Sequence, residues 1–149
     1  MGKPDSVVQS STLSWSGMAQ SAELAVDGDM STTSHTVCAW DTDIWYLMQF
    51  DDIRCFEEVV IINAYLNYNA YRMQDLGVHV KNTNTDTDSL CGVIRVREDS
   101  TIEGQTYKVS CDGMCGNSVM LRVRHNKGEY SYMGCIHMKE IEVHYSGSG

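Results

Sequence analysis

A side-chain period of two dominates this chain, and that period admits strands and excludes most helical folds. Residues 44–50, 58–65, 76–82, 106–111, 118–124 and 139–145 each show alternating or continuous apolar character at strand length. Val119, Leu121 and Val123 alternate with Met120, Arg122 and Arg124, while Ile141 and Val143 alternate with Glu142 and His144. One face of each segment is therefore expected to be buried and the other wet. Weaker strand signals cover 7–12 and 93–97, and the single helical candidate is a short turn over 18–24. Turn clusters at Asp27-Gly28-Asp29, Asp112-Gly113 and Asn126-Lys127-Gly128 punctuate the pattern. It predicts an all-β fold, an antiparallel β-sandwich or jelly roll of about eight strands. The polar run over 82–89 reads as a solvated hairpin loop. It fails as an EF-hand loop, with Thr87 where the sharp turn needs Gly and Val93 where a bidentate Glu is needed.

With 149 residues, 42% hydrophobic and 21% charged, and a single proline, the chain reads as one folded domain over 1–145. Ser146-Gly147-Ser148-Gly149 reads as a linker-like tail, and both ends read as vector-derived with any native secretion signal removed. A net charge of −9 opposes attraction to phosphate backbones or anionic lipid, so nucleic acid is not an expected partner. No apolar run approaches the roughly 18–20 residues of a membrane span, and membrane insertion is not expected.

Six cysteines, Cys38, Cys55, Cys91, Cys111, Cys115 and Cys135, favour three disulfides and an oxidising, extracellular compartment. The count alone leaves the pairing open. Cys111-x3-Cys115 and Cys135-x-His137 do not form the two-ligand knuckles of ordinary zinc sites. The chain carries no Asn-x-Ser/Thr sequon. Its five histidines are scattered and no Gly-x-Ser-x-Gly motif occurs, so no enzymatic activity is expected.

The order of short motifs carries a further signal. Ala25-Val26-Asp27-Gly28-Asp29 precedes a Cys in a Ser/Thr-rich stretch, then Trp45-Tyr46-Leu47-Met48-Gln49-Phe50 and Val59-Val60-Ile61-Ile62-Asn63. Cys91-Gly92-Val93-Ile94, Ser110-Cys111-Asp112-Gly113-Met114 and Glu140-Ile141-Glu142-Val143 follow. From about Ser10 to Tyr145 this succession resembles the F-type lectins, the fucolectins that share the discoidin, or coagulation factor type C, jelly roll. The resemblance implies a secreted, noncatalytic carbohydrate-binding module that recognises a glycan or glycoprotein.

In that family a His two residues after a Cys, an Arg-x-Asp and a later basic residue donate hydrogen bonds to fucose. Here Trp40 stands at the His position, Tyr65 and Asn67 at Arg-x-Asp, and Arg72 at the last basic position. Three of the four differ, and two charge-assisted bonds worth about 1.5–3 kcal/mol each are lost. Fucose specificity is therefore not expected to be retained. The expected site is aromatic, made by Trp40, Tyr65, Tyr68 and Tyr71 with Asn67 and Arg72 as polar anchors. Trp40 and Tyr65 read equally well as core filling, whereas Tyr68 and Tyr71 read as exposed. His35, in Ser34-His35-Thr36, resembles a displaced family histidine but reads more simply as a surface-loop residue.

The resemblance also implies a structural calcium held by Asp27, Asp29 and Glu140 with backbone carbonyls of Leu24 and Val37. It implies a disulfide Cys91–Cys111 and, by an approximate match, Cys38–Cys135, which leaves Cys55 with Cys115. Shallow single sites of this kind gain avidity from a homo-oligomer or a tandem-domain parent. The alternative reading is a protein-binding adhesion or structural module that kept the jelly roll and lost sugar binding.

Overall fold

The computed structural model describes residues 2–38, 43–64, 75–94, 106–123 and 134–148. Nine strands lie among them: β1 (Ser6–Gln9), β2 (Ser14–Trp15), β3 (Met18–Ala19), β4 (Ser34–His35), β5 (Trp45–Asn63), β6 (Leu76–Asn82), β7 (Thr87–Ile94), β8 (Thr106–Val123) and β9 (His137–Ser148). A 3-10 turn over Ala22–Ala25 replaces the helix expected at 18–24, where Met18 and Ala19 instead pair with β2. Among the described residues no helix is long and apolar enough to cross a membrane.

Two long strands build both layers of the sandwich. Residues 46–49 of β5 pair with β1 on one side and residues 45–49 with β8 on the other, and β8 continues to β6 and then β7. Past the corner, residues 54–63 of β5 lie between the first half of β8 and β9, and β9 pairs with β4. Every pairing is antiparallel. The strands expected separately at 44–50 and 58–65 are thus one strand, as are those at 106–111 and 118–124. The register shift between Gln49 and Arg54 bends β5 without ending it. Asp112 and Gly113, expected as a turn between strands, form a bulge inside β8 opposite Glu57, because pairing with β5 resumes at Met114.

Gly116 marks the corner of β8. A Cβ there would collide with the backbone carbonyl of Lys81 in β6, so the close approach of the two strands requires glycine. Tyr46, Met48, Val78, Val80, Val119 and Leu121 point inward from one layer, and Phe56, Val59, Ile61, Ile141 and Val143 from the other. Buried Tyr46 donates its hydroxyl proton to the Ala22 carbonyl at 2.6 Å, fixing the 3-10 turn to the core.

Other expectations shift by a few residues. Strand pairing begins at Thr87, inside the run expected to be loop, and leaves 83–86 as the turn. Of the strand expected over 93–97, residues 93 and 94 belong to β7, and 95–97 lie outside the described residues, as does the turn at Asn126-Lys127-Gly128. β9 runs into the Ser-Gly tail, with Ser146 opposite Cys55 and Ser148 opposite Arg54, because the ladder with β5 continues past Tyr145. His35 is no surface-loop residue. It lies in β4 at 1% exposure, since pairing with β9 draws it beneath the layer edge.

Three disulfides close the fold: Cys38–Cys135, Cys55–Cys115 and Cys91–Cys111, the pairs the family resemblance implies. Cys55 and Cys115 are direct partners across β5 and β8. Cys91–Cys111 ties β7, the edge of one layer, to the first half of β8 in the other.

Candidate metal centre and binding face

Asp27-Gly28-Asp29 follows the 3-10 turn, and Gly28 has φ of +77°, a left-handed turn conformation suited to glycine. The turn aims the Gly28 N–H at Glu140 Oε1 in β9, 3.0 Å away. Asp27 Oδ1 accepts the Asp29 N–H at 2.9 Å, and Oδ2 accepts the Thr32 hydroxyl at 2.6 Å. The same hydroxyl lies 3.0 Å from the Asp29 carbonyl oxygen and 3.3 Å from that of Leu24. One hydroxyl has one proton, so it cannot satisfy all three acceptors. Leu24, Asp27 and Asp29 thus present oxygens to a common point, with Glu140 attached through Gly28.

The electrostatics agree with that crowding of oxygens. The Thr32 hydroxyl is the largest cause holding the Asp27 carboxyl below its usual range. Burial, followed by a hydrogen bond with Asp27, pushes the Glu140 carboxyl up to about 7. Two carboxyl groups so close are poorly stable as two anions, and a bound cation would reverse that balance. The donor set is all oxygen, mixing carboxylate and carbonyl, which fits a hard divalent cation such as calcium.

The expected ligands differ in the groups they offer. Asp29 turns its carboxylate to the Ser31 N–H and hydroxyl, at 2.8 and 2.6 Å, and offers its carbonyl to the cluster instead. Val37 is 44% exposed, and its N–H donates to Ser11 Oγ at 2.9 Å. Thr32 was missed in the sequence because a threonine five residues beyond Asp27 carries no motif of its own; only the folded turn brings its hydroxyl to the carboxylate.

The expected carbohydrate-binding residues Trp40, Tyr65, Asn67, Tyr68, Tyr71 and Arg72 lie outside the described residues. The strand ends that flank those segments are described. In one layer Trp45 pairs with Arg122, and Arg122 with Gly77; in the other Asn63 pairs with Met138, and Ser34 pairs with Met138 as well. Arg122, which carried no binding signal in the sequence, makes a two-pronged pair with Asp43, Nε to Oδ1 at 2.9 Å and Nη2 to Oδ2 at 2.7 Å. The pair fixes a guanidinium next to the start of β5.

No family model matches the chain, and no curated protein does. Solved structures do share its fold. A fucose binding module from Streptococcus pneumoniae is 20% identical with a TM-score of 0.69, covering 95% of this chain and 94% of its own. An F-type lectin, or fucolectin, from striped bass (Morone saxatilis) serum is 21% identical with a TM-score of 0.71; the match covers 97% of this chain but 46% of that protein. A family 32 CBM from C. perfringens, in complex with galactose, is 15% identical with a TM-score of 0.66 over 95% of this chain and 93% of its own. The chain therefore has the F-type lectin and discoidin-like jelly-roll fold.

Proposed function

We propose that this chain is an extracellular, noncatalytic carbohydrate-binding module with an aromatic-rich site in place of the family's basic fucose cluster. The observation that supports it most is the likeness, across at least 95% of the chain, to a fucose binding module, a fucolectin and a galactose-bound CBM. Three disulfides agree with an extracellular setting. Trp40, Tyr65, Tyr68 and Tyr71 would stack on sugar C–H faces, with Asn67 and Arg72 supplying hydrogen bonds. Calcium is assigned a structural part, held by the Asp27 and Glu140 carboxylates and the Leu24 and Asp29 carbonyls; it would neutralise that oxygen cluster and tie the turn to β9. A homo-oligomer or tandem-domain parent would supply avidity.

Departure from the fucose motif at three of four positions favours one second reading, a protein-binding adhesion or structural module. Screening the calcium-loaded domain on a glycan array, alongside the same glycoproteins before and after enzymatic removal of their sugars, separates the two. Retention of binding after sugar removal would establish the second reading and reject the first.

A further inference from the structure

The three disulfides differ in what a reagent from solvent can reach. Cys91–Cys111 and Cys38–Cys135 each have one enclosed member, since Cys111 and Cys135 are buried. Cys55–Cys115 has none: Cys115 is exposed and Cys55 half-buried. The alternation of β5 explains the difference. Phe56 turns into the core at 0% exposure, so its neighbour Cys55 faces outward, and Cys115, the direct partner of Cys55 in β8, faces outward with it. These two cysteines also sit inside a continuous ladder, between the pairs Arg54 with Gly116 and Phe56 with Met114, and β5 is held on its other side by β9. Cys91–Cys111 instead joins strands that are not ladder neighbours, and Cys38–Cys135 joins segments outside the strands. Opening Cys55–Cys115 therefore leaves both of its strands paired.

An acid stands beside this disulfide. Ser146, opposite Cys55 in β9, donates its hydroxyl proton to Glu57 Oε1 at 3.2 Å. A Cβ on Gly113 would lie 3.8 Å from the same oxygen, and the Gly113 carbonyl oxygen is 3.3 Å from Cys115 Sγ. Arg54, the adjoining cation, is turned to the Phe56 side of the strand, its guanidinium 5.3 Å from the centroid of the Tyr145 ring that packs on Phe56. The outward sulfurs thus share their face with a carboxylate, which favours approach of a neutral or cationic thiol over an anionic one. Exposed disulfides are the labile ones, because attack on a sulfur requires access.

We propose that Cys55–Cys115 is a thiol-exchange site, at which a neutral or cationic thiol becomes attached to Cys115 while the jelly roll stays folded. The incoming thiolate sulfur bonds to the exposed Cys115 sulfur as the Cys115–Cys55 bond breaks. The electron pair of that bond goes to Cys55, which leaves as a thiolate and takes a proton from water. Attack by Cys55 on the same Cys115 sulfur expels the added thiol and restores the disulfide, so the modification is reversible. Attack by a second external thiolate on the added sulfur instead forms the small disulfide and releases Cys115, which is protonated in turn. Two external thiols are then oxidised and one protein disulfide is reduced.

The test treats the whole oxidised domain with cysteamine, 2-mercaptoethanol or 2-mercaptoethanesulfonate, which are cationic, neutral and anionic, followed by acid quenching, maleimide labelling and peptide mapping. The proposal expects Cys55 and Cys115 to react about tenfold or more faster than any other cysteine, with the trapped mixed disulfide on Cys115 and β circular dichroism retained. Each rate is set against that of the same thiol with a small uncharged disulfide. On that scale cysteamine should exceed mercaptoethanesulfonate by about threefold or more at low salt, and Glu57→Gln should narrow the ratio. Cys55→Ala with Cys115→Ala should fold, melt cooperatively at a lower temperature and take up no thiol under the same conditions. First reaction at Cys38–Cys135 or Cys91–Cys111, attachment to Cys55 in preference to Cys115, a ratio unmoved by Glu57→Gln, or a double variant without β structure would each overturn the assignment.

Discussion

Gly116 and Thr32 show how single residues shape this molecule. Because a Cβ at position 116 would meet the Lys81 backbone, Gly116→Ala should destabilise the domain by about 1–3 kcal/mol, the usual range for overpacking. Chemical denaturation would measure it, and an unchanged midpoint would show that the corner relaxes freely. Thr32 completes the oxygen cluster with Asp27, and cation binding there should raise stability by RT ln(1 + [Ca]/Kd), roughly 2.7 kcal/mol at about 100 times Kd. Chelation should lower the melting temperature, and Asp27→Ala should abolish the difference between chelated and calcium-loaded protein. An identical melt with and without chelator would remove calcium from the account. The approach of the Asp27-Gly28 turn to Glu140 was expected from the sequence because an Asp-Gly turn and a closing-strand Glu are motif residues. Thr32 was not legible, since its role depends on where the chain returns after the turn. The aromatic residues of the expected face carry chemistry visible in the sequence, but a one-dimensional pattern does not say which of them share a surface.

At the scale of elements, the apolar stretches of β5, β6, β8 and β9 were legible in the sequence, whereas strand ends, the short strands β2, β3 and β4 and most of β7 were not. Alternation identifies which side chains face the core, and Val119, Leu121, Ile141 and Val143 are all buried as the period requires. Breaks in that alternation at Asp51-Asp52 and Asp112-Gly113 look like strand ends in one dimension. In three dimensions both stay within strands, because neighbouring hydrogen bonds resume beyond the irregularity and convert it to a bend or bulge. Cys91–Cys111 joins the two layers across a separation of 20 residues, and its removal by Cys91→Ala with Cys111→Ala should lower stability by about 3 kcal/mol. Nonreducing peptide mapping should recover the Cys91–Cys111, Cys38–Cys135 and Cys55–Cys115 peptides. A peptide joining Cys91 to any other cysteine would contradict the strand arrangement, because β7 would then lie against a different part of the sandwich.

For the whole molecule, two bent strands, a shared core and three disulfides produce a jelly roll, and under the proposed function its connecting segments would carry the recognition. The net charge of −9 opposes binding to anionic polymers, and the proposed sugar ligand would be held by aromatic stacking and a few directional hydrogen bonds. With Trp40, Tyr65 and Asn67 in place of the family's His, Arg and Asp, free fucose should bind in the millimolar range or weaker. Calorimetry should detect stronger fucose binding once Trp40→His, Tyr65→Arg and Asn67→Asp are combined; no gain would mean that the motif alignment is wrong. The central claim is that a glycan is held by the aromatic face, and its most direct measurement is the affinity of the glycan selected on an array for the unmodified domain and for Tyr68→Ala with Arg72→Ala. The account predicts saturable binding by the unmodified domain and loss of about tenfold or more in the variant, at unchanged melting temperature. Equal affinity in the two proteins would contradict it.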